Sequence, residues 1–313
     1  MKKPKKILII KTGFSEFLDK GISTTVSLGD VLLCTSILHR YKNDRVTWLT
    51  SHQGSPLLKD NPHIHDLLIF APAALDKIAK GSYDVIVNLE KDIGICTYLE
   101  RVKAKKKYGF FFDVKRHDIS TYTRSTRYLL TGQENHADVR RPVLDILFET
   151  VGGRWGGETA ILNLKRKVVE KYDIGFNYAV GPKWPTKAWP KKKWQALHKI
   201  LKRNYSVSWQ QGHKNIQAYL KWIASCRVIV TCDSLGQIVG QALGKEVITL
   251  FGPTNHARME GIPHTHTITS KLKCPYMPCY LPVCRYKKFC MDYISPDEVA
   301  KKCRQVLTSR FAG

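Results

Sequence analysis

Short apolar runs recur along this chain, separated by longer stretches in which apolar residues return every three or four positions. In the first half the runs are Lys5–Lys11 (KKILIIK), Arg45–Ser51, Asp66–Phe70, Tyr83–Leu89 and Lys107–Phe112. Their length and β-branched content predict buried strands, and Asp30–Tyr41, Ala73–Lys80 and Ile93–Lys103 read as helices between them. Strands alternating with helices of this size imply βαβ units and a parallel sheet.

A glycine-rich segment, Gly152–Gly157 (GGRWGG), follows a helix expected over Ala137–Thr150 and reads as a hinge. The alternation then resumes. Strands are expected at Ile174–Gly181, Tyr205–Trp209, Arg227–Cys232 and Glu246–Phe251, and helices at Lys191–Arg203, Ile216–Ser225 and Leu235–Leu243. A last helix over Pro296–Leu307 has Ser295 as N-cap and Glu298 at the capping-box position. The expected fold is α/β: a Rossmann-like domain over 1–157, a second over 158–295, and a terminal helix over 296–313 that folds back on the first domain. Two such domains facing one another place ligands at the carboxyl ends of their strands.

With 313 residues, 43% of them hydrophobic, the chain can fill two cores, which argues against disorder. No run approaches the ~20 apolar residues of a membrane-spanning helix, and the apolar stretch after the basic start is too short for a signal peptide. The expectation is a cytosolic protein. Fifty-one Lys and Arg against 26 Asp and Glu leave a net charge of +25, so an anionic partner is expected: nucleic acid, a membrane surface or a phosphate-bearing molecule.

Three segments carry candidate chemistry. The long polar loop Thr12–Leu28 ends in Gly29-Asp30 at a helix start, where a carboxylate serves either as a general base or as a helix cap. In Gly181–Trp194 (GPKWPTKAWPKKKW), Lys187 sits in a strand-to-helix loop, either as a point charge on a phosphate or as part of a solvated basic turn. Thr231–Gly244 (TCDSLGQIVGQALG) runs from a strand end into a helix of small residues. Asp233 and Ser234 mark either an anion site at the helix start or an ordinary cap. G-x-G-x-x-G and the P-loop lysine motif are missing from it, which weighs against a nicotinamide dehydrogenase or a P-loop ATPase. No RNP, KH or zinc-finger pattern supports nucleic acid.

In this order the segments resemble those of glycosyltransferase family 9, the ADP-heptose glycosyltransferases of lipopolysaccharide core assembly. The matching residues are KILIIK at the start, LGD at Leu28–Asp30, TKAWP at Thr186–Pro190, VTCDS at the end of a strand, and LFGPT at Leu250–Thr254. The resemblance implies a GT-B architecture, an inverting reaction without a catalytic metal or other cofactor, an acceptor on the first domain and ADP-heptose on the second. Carried over by position, Asp30 is the base and Lys187 the partner of the diphosphate. Asp233, Ser234, Leu235, Gly236 and Gln237 line the donor with Thr186, Gly252, Pro253 and Thr254, and Gln211 or Trp209 is placed at the base of the nucleotide. Lys11, Thr12, Gly13, Gly29, Arg124 and Arg127 are assigned to the acceptor, expected to be an anionic glycolipid of lipid A with inner-core sugars at the inner membrane face.

The chain departs from the family pattern in places. The loop before Gly29-Asp30 is longer than usual and reads as a flap, Leu235 stands where the family has glycine, and Ile238 stands where it has histidine. Near the end, Cys274, Cys279, Cys284 and Cys290 form a C-x4-C-x4-C-x5-C cluster, open between reduced thiols, disulfides and a structural iron or zinc site like that of protein-glycosylating relatives. Cys34, Cys96, Cys226, Cys232 and Cys303 read as small buried hydrophobes. Of the histidines, His256, just past the GPT turn, is placed near the donor.

Overall fold

The structure, a computed structural model, describes residues 3–14, 25–130 and 139–311. The chain divides into two compact units, one of Met1–Gly132 with Val143–Lys165 and the other of Gln133–Pro142 with Arg166–Gly313.

The first unit is built on a six-stranded sheet in the order β3-β2-β1-β4-β5-β6. Its strands are β1 (Lys6–Ile10), β2 (Arg45–Thr50), β3 (Asp66–Ile69), β4 (Ser82–Asn88), β5 (Lys103–Asp113) and β6 (Asp118–Thr121). All neighbours are parallel except β5 and β6. β1 is central because it is apolar on both faces: Ile7, Leu8, Ile9 and Ile10 have no exposed surface. The expected helix from Asp30 begins earlier, at Leu28, and turns after Leu33 into a 3-10 helix over Cys34–Tyr41. The Thr35 hydroxyl donates to the Leu32 carbonyl at 2.6 Å and so competes with the backbone ladder at that joint. The helix expected from Ala137 starts instead at Val143, because Pro142 has no amide proton and disfavours a helical Arg141. Residues 137 and 138 of that expectation lie outside the described residues, as does most of the expected flap.

The second unit has five parallel strands in the order β11-β10-β9-β7-β8. They are β7 (Tyr172–Asn177), β8 (Val207–Trp209), β9 (Cys226–Cys232), β10 (Glu246–Phe251) and β11 (Thr265–Thr269). β11 has no expected counterpart; its Thr-His alternation hides a half-buried edge strand, and His264 and His266 both reach the Glu246 carboxylate, at 2.9 and 2.8 Å. The terminal helix, Pro296–Phe311, belongs to the second unit. Its Val299, Ala300, Cys303, Val306 and Leu307 enter the second unit's core beside Phe176 and Trp194. Ser295 accepts from the Asp297 amide at 3.2 Å as a cap should, but Glu298 pairs with Lys271 at 3.1 Å, leaving the capping box half made. Among the described residues no helix is long and apolar enough to cross a membrane.

In each unit the first strand lies between strands reached in opposite directions, β1 between β2 and β4, and β7 between β8 and β9. The connections part at their carboxyl ends, where open α/β sheets bind ligands. Asp30 belongs to the loop and helix after β1, and Lys187 to the loop after β7.

Candidate active site

The second unit's candidate residues come from three adjacent strands. Asn177 ends β7 opposite Thr231 of β9, and Cys232 at the end of β9 lies opposite Leu250 of β10. The loops carrying Lys187, Asp233-Ser234 and Gly252-Pro253-Thr254 therefore leave the sheet side by side. Lys187 and Asp233, drawn from separate motifs, meet: Nζ lies 2.8 Å from Oδ2, with about a sixth of each side chain exposed.

Ser234 precedes the helix Leu235–Ala242. It is held by a network of residues that no motif singles out. Asn177 donates to Thr231 Oγ1 at 2.8 Å and to Ser234 Oγ at 3.0 Å, and its own carbonyl accepts from the Tyr219 hydroxyl at 2.8 Å. Burial holds the Tyr219 phenol far above its ordinary range, so it stays a proton donor at any working pH. Gly236 fits because it has no side chain, since a Cβ there would sit 2.4 Å from Asn177 Nδ2 and 2.6 Å from its Cγ. Gly236→Ala should cost roughly 1 to 3 kcal/mol through this overpacking, read as a lower urea midpoint with weakened ADP binding.

The remaining donor candidates divide by exposure. Gly252, Pro253 and Thr254 are buried, and Gln237 is wholly buried with neither amide atom hydrogen-bonded among the described residues. Leu235 is half-buried. Thr186 is spent internally, its hydroxyl donating to the Leu281 carbonyl. Gln211 is exposed and donates to Ser208 at 3.2 Å, whereas Trp209 stacks edge-on with Phe176 and Tyr178 and donates to His198. His256 lies 3.4 Å from Glu260 and edge-on to Phe251.

The cysteine-rich tail braces two of these turns. The amides of Cys279 and Tyr280 both donate to the Pro253 carbonyl, at 2.9 and 3.0 Å, and the Tyr280 hydroxyl accepts from the Asn255 amide at 3.0 Å. Leu281, the next residue, receives Thr186. All nine cysteines are free thiols, with Cys34, Cys96, Cys226, Cys232 and Cys303 buried as expected. Burial, chiefly, raises the Cys290 thiol to about 12. Cys290 faces Cys279, Cys284 and Cys274, but among the described residues no three of His, Cys, Asp and Glu stand as a metal-holding group. Cys279→Ser should lower the melting temperature by about 2 to 4 °C, as a loss near 1 kcal/mol would, and leave turnover within about twofold in a steady-state assay, because the tail's ties run through main-chain atoms.

In the first unit, Asp30 is half-buried and lies inside the first turn, whose N-cap is Ser27. Ser27 makes no side-chain cap bond, and Asp30 is the acidic residue of that first turn. Gly29 is half-buried beside it, and Arg124 and Arg127 are exposed. Lys11 and Thr12 retain only 4% and 1% of their surface, and the amides of Thr12 and Gly13 are taken by Glu90, so these three shape the loop from inside. Burial works against the Lys11 ammonium, yet Glu90, with Cys34 and Asp30, outweighs it and leaves its pKa raised. Glu90 escaped notice because an acid in Asn88-Leu89-Glu90-Lys91 reads as an ordinary loop residue.

Known proteins can now be set beside this geometry. Residues 211–290 match the family model of glycosyltransferase family 9 (heptosyltransferase). A glycosyl transferase family 9 structure from Veillonella parvula is similar over 99% of both chains, at 18% identity and a TM-score of 0.69. E. coli ADP-heptose lps heptosyltransferase II is similar over 98% of this chain and 99% of its own, at 14% identity and a TM-score of 0.65. The iron-containing dodecameric glycosyltransferase TibC of enterotoxigenic E. coli is similar over 99% of this chain and 78% of its own, at 12% identity and a TM-score of 0.60. No curated protein matches by sequence.

Two α/β units with these neighbours define the fold as that of the GT-B glycosyltransferases. Residues 211–290, about a quarter of the chain, carry the match to the family 9 model, in line with the resemblance read from the sequence.

Proposed function

We propose that this enzyme transfers heptose from ADP-heptose to an inner-core lipopolysaccharide acceptor at the cytoplasmic membrane face, with inversion. The observation that carries this reading is the Lys187–Asp233 pair at 2.8 Å, which joins two motifs assigned to the donor at the carboxyl ends of β7 and β9. An acceptor hydroxyl attacks the anomeric carbon, the bond from that carbon to the diphosphate oxygen breaks, and ADP leaves with the electron pair. Asp30 takes the hydroxyl proton as the new bond forms, since an alcohol cannot lose it unaided near neutral pH. Lys187 stabilises charge building on the diphosphate, and Asp233 is released to a hydroxyl of the sugar. The Gly252-Pro253-Thr254 turn closes the donor side. Exposed Arg124 and Arg127, with the lysines of β5, offer the anionic acceptor and the membrane a basic surface.

The test is ADP release from ADP-heptose with a heptose-deficient core acceptor, alongside a hydroxyl-rich polypeptide. ADP released only with the core supports the reading, and no turnover with any ADP-sugar ends it. Transfer to polypeptide is the second reading, favoured by the likeness to TibC.

A further inference from the structure

Glu90 follows β4 and has no exposed surface. A carboxylate shut from water is costly to keep, so its contacts indicate what holds it there. Oε1 accepts from the amides of Thr12 and of Gly13, the latter at 2.8 Å, and lies 3.7 Å from Lys11 Nζ. Oε2 has no hydrogen-bond partner among the described residues. The backbone of Glu90 is itself fixed. Its amide donates to Asn88 Oδ1 at 3.0 Å, and its carbonyl accepts from Asn88 Nδ2 at 3.3 Å. The same Asn88 amide reaches the Phe110 carbonyl of β5 at 3.0 Å.

From Gly13 the contacts continue toward Asp30. The Gly13 carbonyl accepts from the Ser27 amide at 2.9 Å and so closes the long loop, and the Ser27 carbonyl accepts from Val31 at 3.2 Å in the first turn of the helix that carries Asp30. Gly13 has φ +93, and a Cβ there would lie 2.7 Å from Val26 and 2.9 Å from Val31, so the loop passes this point in one tight path. Asp30 also faces the Lys11 ammonium, which the Cys34 thiol and Glu90 face as well.

We infer that Glu90 is a positioning residue for transfer: through Gly13 and Ser27 it sets where the Asp30 carboxylate stands. The inference rests on Asp30 being the base. Glu90 has no exposed surface and its Oε1 is occupied by the chain's own amides, so its effect runs through the loop.

The experiment compares Glu90→Asp, Glu90→Gln and Asp30→Asn in the full-length enzyme, measuring kcat, acceptor KM, ADP affinity and melting temperature. Glu90→Asp keeps the charge and shortens the arm, so it pulls or releases the Thr12–Gly13 turn. A displacement of about 1 Å at a reacting group costs on the order of 100-fold, so kcat should fall by about that factor. Glu90→Gln still accepts both amides and should lose only about tenfold. Acceptor KM and ADP affinity should stay within about twofold in both, a split that general loosening of the fold would not produce. Folded Glu90→Asp with wild-type kcat overturns the inference, as does a parallel loss of kcat and ADP affinity with a lowered melting temperature. If Glu90→Asp does not accumulate as folded protein, Glu90→Gln decides by the same split. Substantial turnover by Asp30→Asn would instead remove the base reading, whereas an inactive Asp30→Asn beside fully active Glu90 variants would remove this inference alone.

Discussion

Asp30→Asn should lower the rate of heptose transfer by about 100- to 10,000-fold, the range that a positioned general base contributes. The asparagine keeps the side chain's size and its place in the first turn of the helix Leu28–Leu33, so the fold and the melting temperature should hold. ADP affinity should be unchanged, because the residues assigned to the nucleotide belong to the other unit. Stopped-assay kinetics with ADP-heptose and calorimetric titration of ADP read the two quantities separately. A variant with wild-type turnover, or one that loses ADP binding first, would show that Asp30 is not the base.

Lys187→Ala should act on both binding and chemistry. The Lys187 side chain is only 17% exposed, so its contact with a phosphate oxygen would be a charge-assisted bond poorly replaced by water. Such bonds contribute about 1.5 to 3 kcal/mol, so ADP affinity should fall by roughly 10- to 150-fold. Turnover should drop by about 100- to 1,000-fold, as when an oxyanion donor is removed. The substitution also leaves Asp233 without its partner, placing an uncompensated carboxylate where the diphosphate is proposed to bind. Lys187→Met with Asp233→Asn separates the effects: the double variant should regain part of the ADP affinity and none of the turnover. Equal kinetics for Lys187→Ala and the wild type would exclude the lysine from the site.

Most of the sheet framework was legible because buried strands write their burial into composition. KILII at β1, VIVN at the end of β4 and EVITLF at β10 have few other readings. What escaped depends on partners distant in sequence. β6 is four residues long and exists by pairing antiparallel with β5, and β11 is a polar-looking edge completed by Glu246. The helix from Asp30 broke where one threonine hydroxyl claimed a carbonyl, a detail beyond periodicity. In the candidate site, Lys187 and Asp233 were found because their motifs sit at strand ends, where chemistry is expected. Asn177, Tyr219 and Glu90 were missed because a buried polar residue looks, in sequence, like an exposed one. Only the fold shows that the Asn177 amide serves Thr231 and Ser234 while its carbonyl takes the Tyr219 hydroxyl.

The tail's ties to Pro253 and Thr186 run through the amides of Cys279 and Tyr280 and the carbonyl of Leu281. Main-chain bonds are indifferent to side-chain identity but not to spacing. A single inserted residue would displace the following carbonyl by about 3.5 Å, enough to free one turn while the other stayed fastened. Lengthening or shortening the chain between residues 279 and 281 should therefore disturb these turns more than exchanging a cysteine side chain would.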